Sequence, residues 1–468
     1  MYNIVIENIT DKYEYGELIK IFLRPDEYRL FTEGEYEGPS SEDDVLILFN
    51  EQGFSEKDHI KREIFQGMRQ ITGLRPPWGI LTGVRPVKLA GELSEKLKSS
   101  EAAQKKLKDF YFLSGEKAGL LTDILKYQQK TCGSPVENSA GLYIGIPFCP
   151  TRCLYCSFTS NQQGPEEIER YLKALKKEIR YAGQASREKK LVIETVYIGG
   201  GTPTTLSAEQ LDELLKEVRE SFDLSPAREF TVEAGRPDTV TEDKLMSLAK
   251  NGVGRISINP QTMKDSTLEL IGRSHKAEEI RKAFAMAAGA GDFVINADLI
   301  AGLPGEDKED FESSLKEVIG LGPENITVHT LAVKKASRLI EHAPEYHYDH
   351  GGTVDEMLRS ASRILSLAGY RPYYLYRQKH MAGALENVGY CKDDTPCVYN
   401  VRIMEERQSI LALGAGGISK KYYPDRNRLE RVPNVSNYSV YIDRIDEMIE
   451  RKQKNFFEEV RESVDQRA

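Results

Sequence analysis

From Leu142 to Leu331 the chain alternates short β-rich runs with amphipathic helical runs, and nothing else in it restricts the fold as strongly. Strands are expected at 142–146, 194–198, 229–233, 255–259, 293–299 and 325–331. In the helical run 166–180, Ile168, Leu172, Leu175 and Ile179 share one face. In 207–222, Ser207 and Gln210 have capping-box spacing ahead of Leu211, Leu214, Leu215 and Val218. Further helices are expected at 241–250, 277–289 and 309–320. Six such β/α units imply a parallel sheet with right-handed crossovers, an α/β fold arranged as a partial (β/α)6 barrel. Ligand sites in such sheets gather where the C-terminal ends of strands meet loops.

The first strand runs directly into Cys149, Cys153 and Cys156, spaced C-x3-C-x2-C. Three soft thiolates on one short loop suit three irons of a [4Fe–4S] cube and leave the fourth iron open to a ligand. A structural zinc site needs four ligands and shows paired C-x2-C knuckles, and no second pair follows. A disulfide would leave one of the three unpaired.

Later strand ends carry further candidates. The second ends in three glycines, Gly199 to Gly201, then Thr202, so a ligand can approach the backbone and its N–H groups closely. The third ends at Glu233, an acid that needs a partner if buried, whether a salt bridge or a ligand. The fourth leads to Gln261, with Arg273 twelve residues on. The fifth carries Asp298 near its end, placed to accept hydrogen bonds from ribose hydroxyls. His275 and His329 read as hydrogen-bonded polar groups rather than bases, and no residue is assigned a catalytic role.

These motifs, in this order, resemble the radical S-adenosylmethionine (SAM) enzymes, and among them the oxygen-independent coproporphyrinogen III oxidase (dehydrogenase) family. Tyr143 six residues before Cys149, Pro-Phe-Cys, Gly-Gly-Gly-Thr-Pro-Thr, the Gln261–Arg273 spacing, Asp298-Leu-Ile-x-Gly-Leu-Pro and Leu413-Gly-x-Gly carry the resemblance. Trp78-Gly-Ile-Leu-Thr-Gly-Val-Arg-Pro, Tyr374-Leu-Tyr-Arg-Gln-Lys and Glu386-Asn-Val-Gly-Tyr resemble one bacterial branch, the HemZ type. The resemblance implies a [4Fe–4S] cluster on Cys149, Cys153 and Cys156 and two SAM molecules. The cluster-bound SAM would meet Tyr143, Gly200, Glu233 and Ile418. The second would meet Tyr155, Gly201, Thr202, Gln261, Arg273, Asp298 and Ala332. The implied activity is oxidative decarboxylation of coproporphyrinogen III, or a related tetrapyrrole, to protoporphyrinogen IX in haem biosynthesis. A reducing donor such as flavodoxin or ferredoxin would serve it.

The chain departs from the well-studied oxidases in two places. Ser157 and Phe158 follow Cys156, where those enzymes place a fourth cysteine, and Gly145 stands where they have a histidine. A related subfamily that carries haem and lacks oxidase activity also lacks the fourth cysteine, so a haem chaperone is the alternative. A substrate with four propionates calls for cations, and Arg152, Lys334, Lys335, Arg377 and Lys379 are the candidates on loops at the barrel mouth.

Three regions are expected: an N-terminal α+β region at 1–135, the barrel at 136–378 and a C-terminal extension at 379–468 with helices at 437–465. The first should hold strands at Asn3–Ile9 and Asp44–Phe49, a helix at His59–Ile71, and Trp78 in a core-anchored turn. A net charge of −9 without a basic stripe argues against nucleic-acid partners. No run of eighteen apolar residues suggests a membrane span, and the first residues do not read as a secretory signal. The scattered Cys132, Cys391 and Cys397 fit a reducing, cytoplasmic setting.

Overall fold

The computed structural model describes residues 1–458 apart from 8, 10–11, 39–40, 42–43, 50–56, 157–159, 333–350 and 379–381. Strands β1 (Tyr2–Ile6), β2 (Tyr28–Thr32) and β3 (Val45–Phe49) form a small parallel sheet in the order β2-β1-β3. Helix Lys57–Thr72 encloses the expected 59–71 run and turns Ile60, Ile64 and Met68 into the same small core as Ile4 and Ile6.

The six expected barrel strands all form: β4 (Ser139–Ile146), β5 (Val192–Gly200), β6 (Glu229–Glu233), β7 (Arg255–Ser257), β8 (Val294–Ala301) and β9 (Asn325–Thr330). They pair in sequence order, all parallel. Strand β7 stops short of 259 because Pro260 brings no N–H to the ladder and Gln261 takes a left-handed φ of 70°. The segment still follows β8, through Ile258 N–H to Asn296 O at 2.8 Å and Gln261 N–H to Asp298 O at 2.9 Å. The connecting helices are Pro165–Glu188, Ala208–Ser221, Glu242–Lys250, Ala277–Ala290 and Lys308–Gly320. Ser207 and Gln210 do form the capping box, each side chain accepting from the other's backbone N–H at 3.2 and 3.1 Å.

Five more strands extend this sheet: β10 (Arg371–Tyr376), β11 (Asn387–Cys391), β12 (Ser409–Leu413), β13 (Ile418–Tyr423) and β14 (Arg428–Pro433). The order is β10-β11-β9-β8-β7-β6-β5-β4-β12-β13-β14, so the sheet does not close and the barrel is partial. Strand β12 runs parallel to β4, with Leu411 opposite Leu142.

The barrel strands alternate apolar-out, polar-in. Val196, Ile198, Phe230, Val232, Ile256, Leu299, Ile326 and Val328 join the core shared with the helices. Tyr197, Glu233, Asp298, Thr327 and His329 reach one another's neighbourhood on the opposite face. A period of two thus sends one residue set to a dry helix-covered face and the other into a polar interior. Helix Val398–Glu405 closes the N-terminal end of that interior. The Glu229 carboxylate accepts from the Val398 N–H at 2.9 Å, Arg402 forks onto Glu194 with two 2.9 Å bonds, and Tyr399 stacks on Tyr197 at 4.5 Å. Among the described residues no helix is long and apolar enough to cross a membrane.

Trp78 is a core anchor, as its turn-rich setting suggests. It is buried, and its indole N–H donates to Glu386 at 2.7 Å, while Lys117 holds the other Glu386 oxygen. Arg377 belongs to the same junction, which corrects its reading as a substrate cation. It is 5% exposed, lies 4.9 Å over the Trp78 ring, and donates to the Leu81 and Ala384 carbonyls. Lys334, Lys335 and Lys379 lie outside the described residues.

Candidate functional site

The cysteine loop leaves β4 at Ile146 and is closed by Asn161. The Asn161 backbone and side-chain amides both donate to Pro147 O, at 3.0 and 2.9 Å, and Cys149 N–H returns a bond to Asn161 O at 3.0 Å. Leu154 N–H ties the far side of the loop to Ile271 O at 3.0 Å. Cys153 is buried, Cys149 and Cys156 are half-buried, and all three are free thiols. The Thr202 hydroxyl lies 3.5 Å from the Cys149 sulfur, and an Arg236 N–H lies 3.8 Å from that of Cys153. Burial pushes the Cys149 thiol up, with Thr202 working against it. Among the described residues no three His, Cys, Asp or Glu side chains are converged into a metal-ligand group.

The glycine run abuts this loop, and two positions admit no side chain. A Cβ on Gly201 would stand 2.5 Å from Phe148 O and 3.0 Å from the Cys149 sulfur. One on Gly199 would stand 2.8 Å from the Glu233 carboxyl carbon. Glu233 itself accepts from the Tyr197 hydroxyl at 2.6 Å and from Gly200 N–H at 3.3 Å, so its partners are a phenol and an amide. Burial raises its carboxyl to about 7, helped by the charge of Asp298 and opposed by the Tyr197 hydrogen bond. Tyr143 stacks beside Tyr197 at 6.3 Å, and its hydroxyl comes within 3.3 Å of where a Gly200 Cβ would lie.

A second group faces it. Arg273 is 9% exposed, donates to the Tyr155 hydroxyl at 2.8 Å, and reaches the Gly235 and Asn259 carbonyls at 3.4 Å. Tyr155 rests on an apolar patch of Ile271, Ile300, Leu303 and Leu331. Asp298 takes the Asn296 amide at 2.8 Å and lies 3.5 Å from His329, whose other ring nitrogen meets the Tyr376 hydroxyl at 3.2 Å. Burial pushes the Asp298 carboxyl up, and His329, Asn296 and Thr327 outweigh it, leaving the group below its usual range. His329 is thus hydrogen-bonded, as read.

Of the residues implied for the two SAM molecules, Tyr143, Gly200 and Glu233 come together, as do Tyr155 and Arg273, and Gln261 with Asp298. Gly201 and Thr202 sit on Cys149. Ala332 follows Leu331, whose N–H bonds Ala301 O at 3.0 Å. Ile418 opens β13 and is 46% exposed, beyond a turn in which Gly414 packs on Gly145.

The radical SAM superfamily model matches residues 143–318, the span that carries the cysteine loop, the glycine run, Glu233, Arg273 and Asp298. The chain is 37% identical to the oxygen-independent coproporphyrinogen-III oxidase-like protein HemZ of Bacillus subtilis, over 93% of this chain and 89% of that one. The chain belongs to the HemZ-type radical SAM family. It is also 30% identical to the haem chaperone HemW of Haemophilus influenzae, over 60% of this chain and 70% of the chaperone. Coproporphyrinogen III oxidase HemN of Escherichia coli shares the fold, with a TM-score of 0.52 at 23% identity, covering 69% of this chain and 73% of that one.

As a radical SAM family member the chain is of the class that holds a [4Fe–4S] cluster and SAM, and its own residues fit both. The donor set is three thiols on one loop with hydrogen-bond donors at two of the sulfurs. Beside it, Ser257 Oγ, Asn259 Oδ1 and Arg273 Nε are buried without a hydrogen-bond partner, polar atoms that a polar ligand would satisfy. Sequence reasoning missed Tyr197, Tyr399 and the Arg236–Asp238 pair. The period-two pattern through Glu233 could have pointed inward to Tyr197, and a cation and an anion two residues apart just past a strand end could have marked Arg236 and Asp238.

Proposed function

We propose that this chain converts coproporphyrinogen III to protoporphyrinogen IX without oxygen, by oxidative decarboxylation of two propionates to vinyl groups. The observation that carries the reading is a full-length likeness to an oxidase-like protein, joined to two polar subsites flanking one cysteine loop. Cys149, Cys153 and Cys156 would hold the cluster, which with SAM bound would supply the one-electron chemistry that removes a hydrogen atom from the substrate propionate, the electron left on the substrate passing to a one-electron acceptor as carbon dioxide leaves. Glu233 and the Gly199–Gly201 backbone would hold the amino group of the SAM on that cluster, with Tyr143 and Ile418 alongside. Arg273, Gln261, Asp298, Tyr155, Gly201, Thr202 and Ala332 would take a second SAM. Tyr197 and Tyr399, stacked at 4.5 Å, would form the floor of that site. A reduced flavodoxin or ferredoxin in the cytoplasm would feed electrons to the loop.

The HemW relatives support a second reading, haem carriage without decarboxylation. Haem titration of the fully clustered protein separates the two: the oxidase reading expects no stoichiometric haem binding, and a tight one-to-one haem complex that survives purification favours the carrier.

The role of Glu233 predicts a pH dependence. Its carboxyl titrates near 7, so below that pH it is neutral and a poor partner for the SAM ammonium. SAM affinity should rise as pH increases through about 7 in the wild type and stay flat in Glu233→Gln. The variant should bind SAM about ten- to a hundredfold more weakly at pH 8, matching about 1.5–3 kcal/mol for a charge-assisted hydrogen bond. Stability in the ligand-free protein has the opposite sign. A raised carboxyl costs stability progressively as pH climbs from its ordinary 4.5 through about 7, so Glu233→Gln should melt higher than wild type at pH 8. Anaerobic calorimetry with SAM and thermal melts at pH 6 and 8 check both. A pH-independent wild-type affinity would remove Glu233 from the SAM site.

A further inference from the structure

Arg236 follows β6 three residues after Glu233, and its side chain is 4% exposed. Asp238 holds it from one side, accepting from Nε at 3.0 Å and Nη2 at 2.7 Å. The Ser274 hydroxyl accepts from Nη2 at 2.8 Å and itself donates to Asp238 at 2.9 Å, with His275 Nδ1 a further 3.5 Å from the carboxylate. With that edge of the guanidinium committed, Nη1 is left pointing into the cysteine loop. It donates to the Thr151 hydroxyl at 2.7 Å, reaches the Thr151 carbonyl at 3.4 Å, and lies 3.8 Å from the Cys153 sulfur. Cys153 is the most buried of the three loop cysteines, at 8% exposure, so water screens this contact little.

We propose that Arg236 is a positioning residue that fixes the cysteine loop and raises the reduction potential of the cluster through its N–H to the Cys153 sulfur, with Asp238 setting the size of the effect. The inference rests on the reading that Cys149, Cys153 and Cys156 carry a [4Fe–4S] cluster. A cube held by thiolates gains a negative charge on reduction, and hydrogen bonds to its sulfurs and nearby cations favour that form. Arg236 supplies both at one sulfur. Thr202 supplies only a neutral donor, at Cys149. Asp238 cancels most of the charge of Arg236 while locking its geometry, so the two residues act on the potential with opposite signs.

The test is an electron paramagnetic resonance redox titration of the full-length, anaerobically reconstituted protein without SAM, alongside iron and sulfide content. Arg236→Gln should assemble a cluster with a lower midpoint potential, about tenfold less reduced at a fixed potential, or about 59 mV for one electron. Asp238→Asn should shift the midpoint upward, because the guanidinium loses its counter-charge. Arg236→Lys should restore most of the wild-type potential. A wild-type midpoint in Arg236→Gln with full iron content, or shifts of the same sign in Arg236→Gln and Asp238→Asn, would overturn the proposal. Should Arg236→Gln assemble no cluster, the sign in Asp238→Asn decides: upward upholds it, unchanged or downward overturns it. Wild-type protein that shows no iron–sulfur absorbance would instead refute the cluster reading on which the inference stands.

Discussion

Replacing any one of Cys149, Cys153 or Cys156 with Ala is expected to abolish the iron–sulfur absorbance of the anaerobically reconstituted protein, whereas Cys132→Ala, Cys391→Ala and Cys397→Ala should retain it. Three thiolates are the minimum for three irons of a cube, and one fewer leaves two irons exposed to solvent. The other cysteines are poor substitutes. All three are buried in a tyrosine-rich cluster at the closed end of the barrel, and burial pushes the Cys391 thiol up to about 11 and that of Cys397 well above its ordinary value. A thiol held protonated is a weak metal ligand. Loss of absorbance in Cys391→Ala or Cys397→Ala alone, with the protein still folded, would show that the ligand set is misassigned.

The second large effect concerns the far side of the glycine turn that packs on Gly145. Lys452 and Glu178 are both fully buried and form a 2.9 Å ion pair. Glu178 also accepts from Gly414 N–H at 2.8 Å, the Tyr441 hydroxyl at 2.6 Å and the Asn434 amide at 2.9 Å. Lys452→Met removes the only cation in this group, since the remaining partners are neutral, and leaves a carboxylate in the dry core. Breaking a buried pair from one side typically costs about 3–5 kcal/mol, visible as a lowered midpoint in urea unfolding. The pH response should also invert. Burial pushes the Glu178 carboxyl up and Lys452 with the hydrogen bonds pulls it below its ordinary value, so in wild type this group stabilises the fold above that value and the contribution is lost as pH falls. Without Lys452 burial dominates, and the variant should recover part of its deficit on acidification toward pH 5. A loss under about 1 kcal/mol would mean the pair behaves as a solvated one.

The six barrel strands were legible because each carries a period-two pattern bounded by glycine, proline or a helix cap, and their helices because apolar residues recur at helical spacing. The strand-end residues were legible for a related reason: Glu233 and the glycines stand where an apolar pattern breaks off, and Asp298 interrupts one just before β8 ends. What escaped depends on partners distant in sequence. Strand β12 carries a short apolar run, Ser409–Leu413, whose place beside β4 is set by tertiary pairing alone. Arg377 read as a rim cation because nothing local shows that Trp78, nearly three hundred residues earlier, covers it. The helices Ser100–Asp109 and Gly115–Thr131 did advertise themselves through Ser99 and Ser114, both of which cap as accepting side chains, but their mixed faces hid the period.

The central claim is the reaction, and product analysis under strict anaerobiosis tests it most directly. Reduced, reconstituted protein is incubated with SAM and coproporphyrinogen III, and the porphyrinogens, methionine and 5′-deoxyadenosine are quantified after oxidation and chromatography. The account predicts divinyl product, through a monovinyl intermediate, with methionine and 5′-deoxyadenosine formed alongside and none of these in the Cys153→Ala protein. Protein that carries its full cluster and cleaves SAM, yet leaves all four propionates intact, would contradict it.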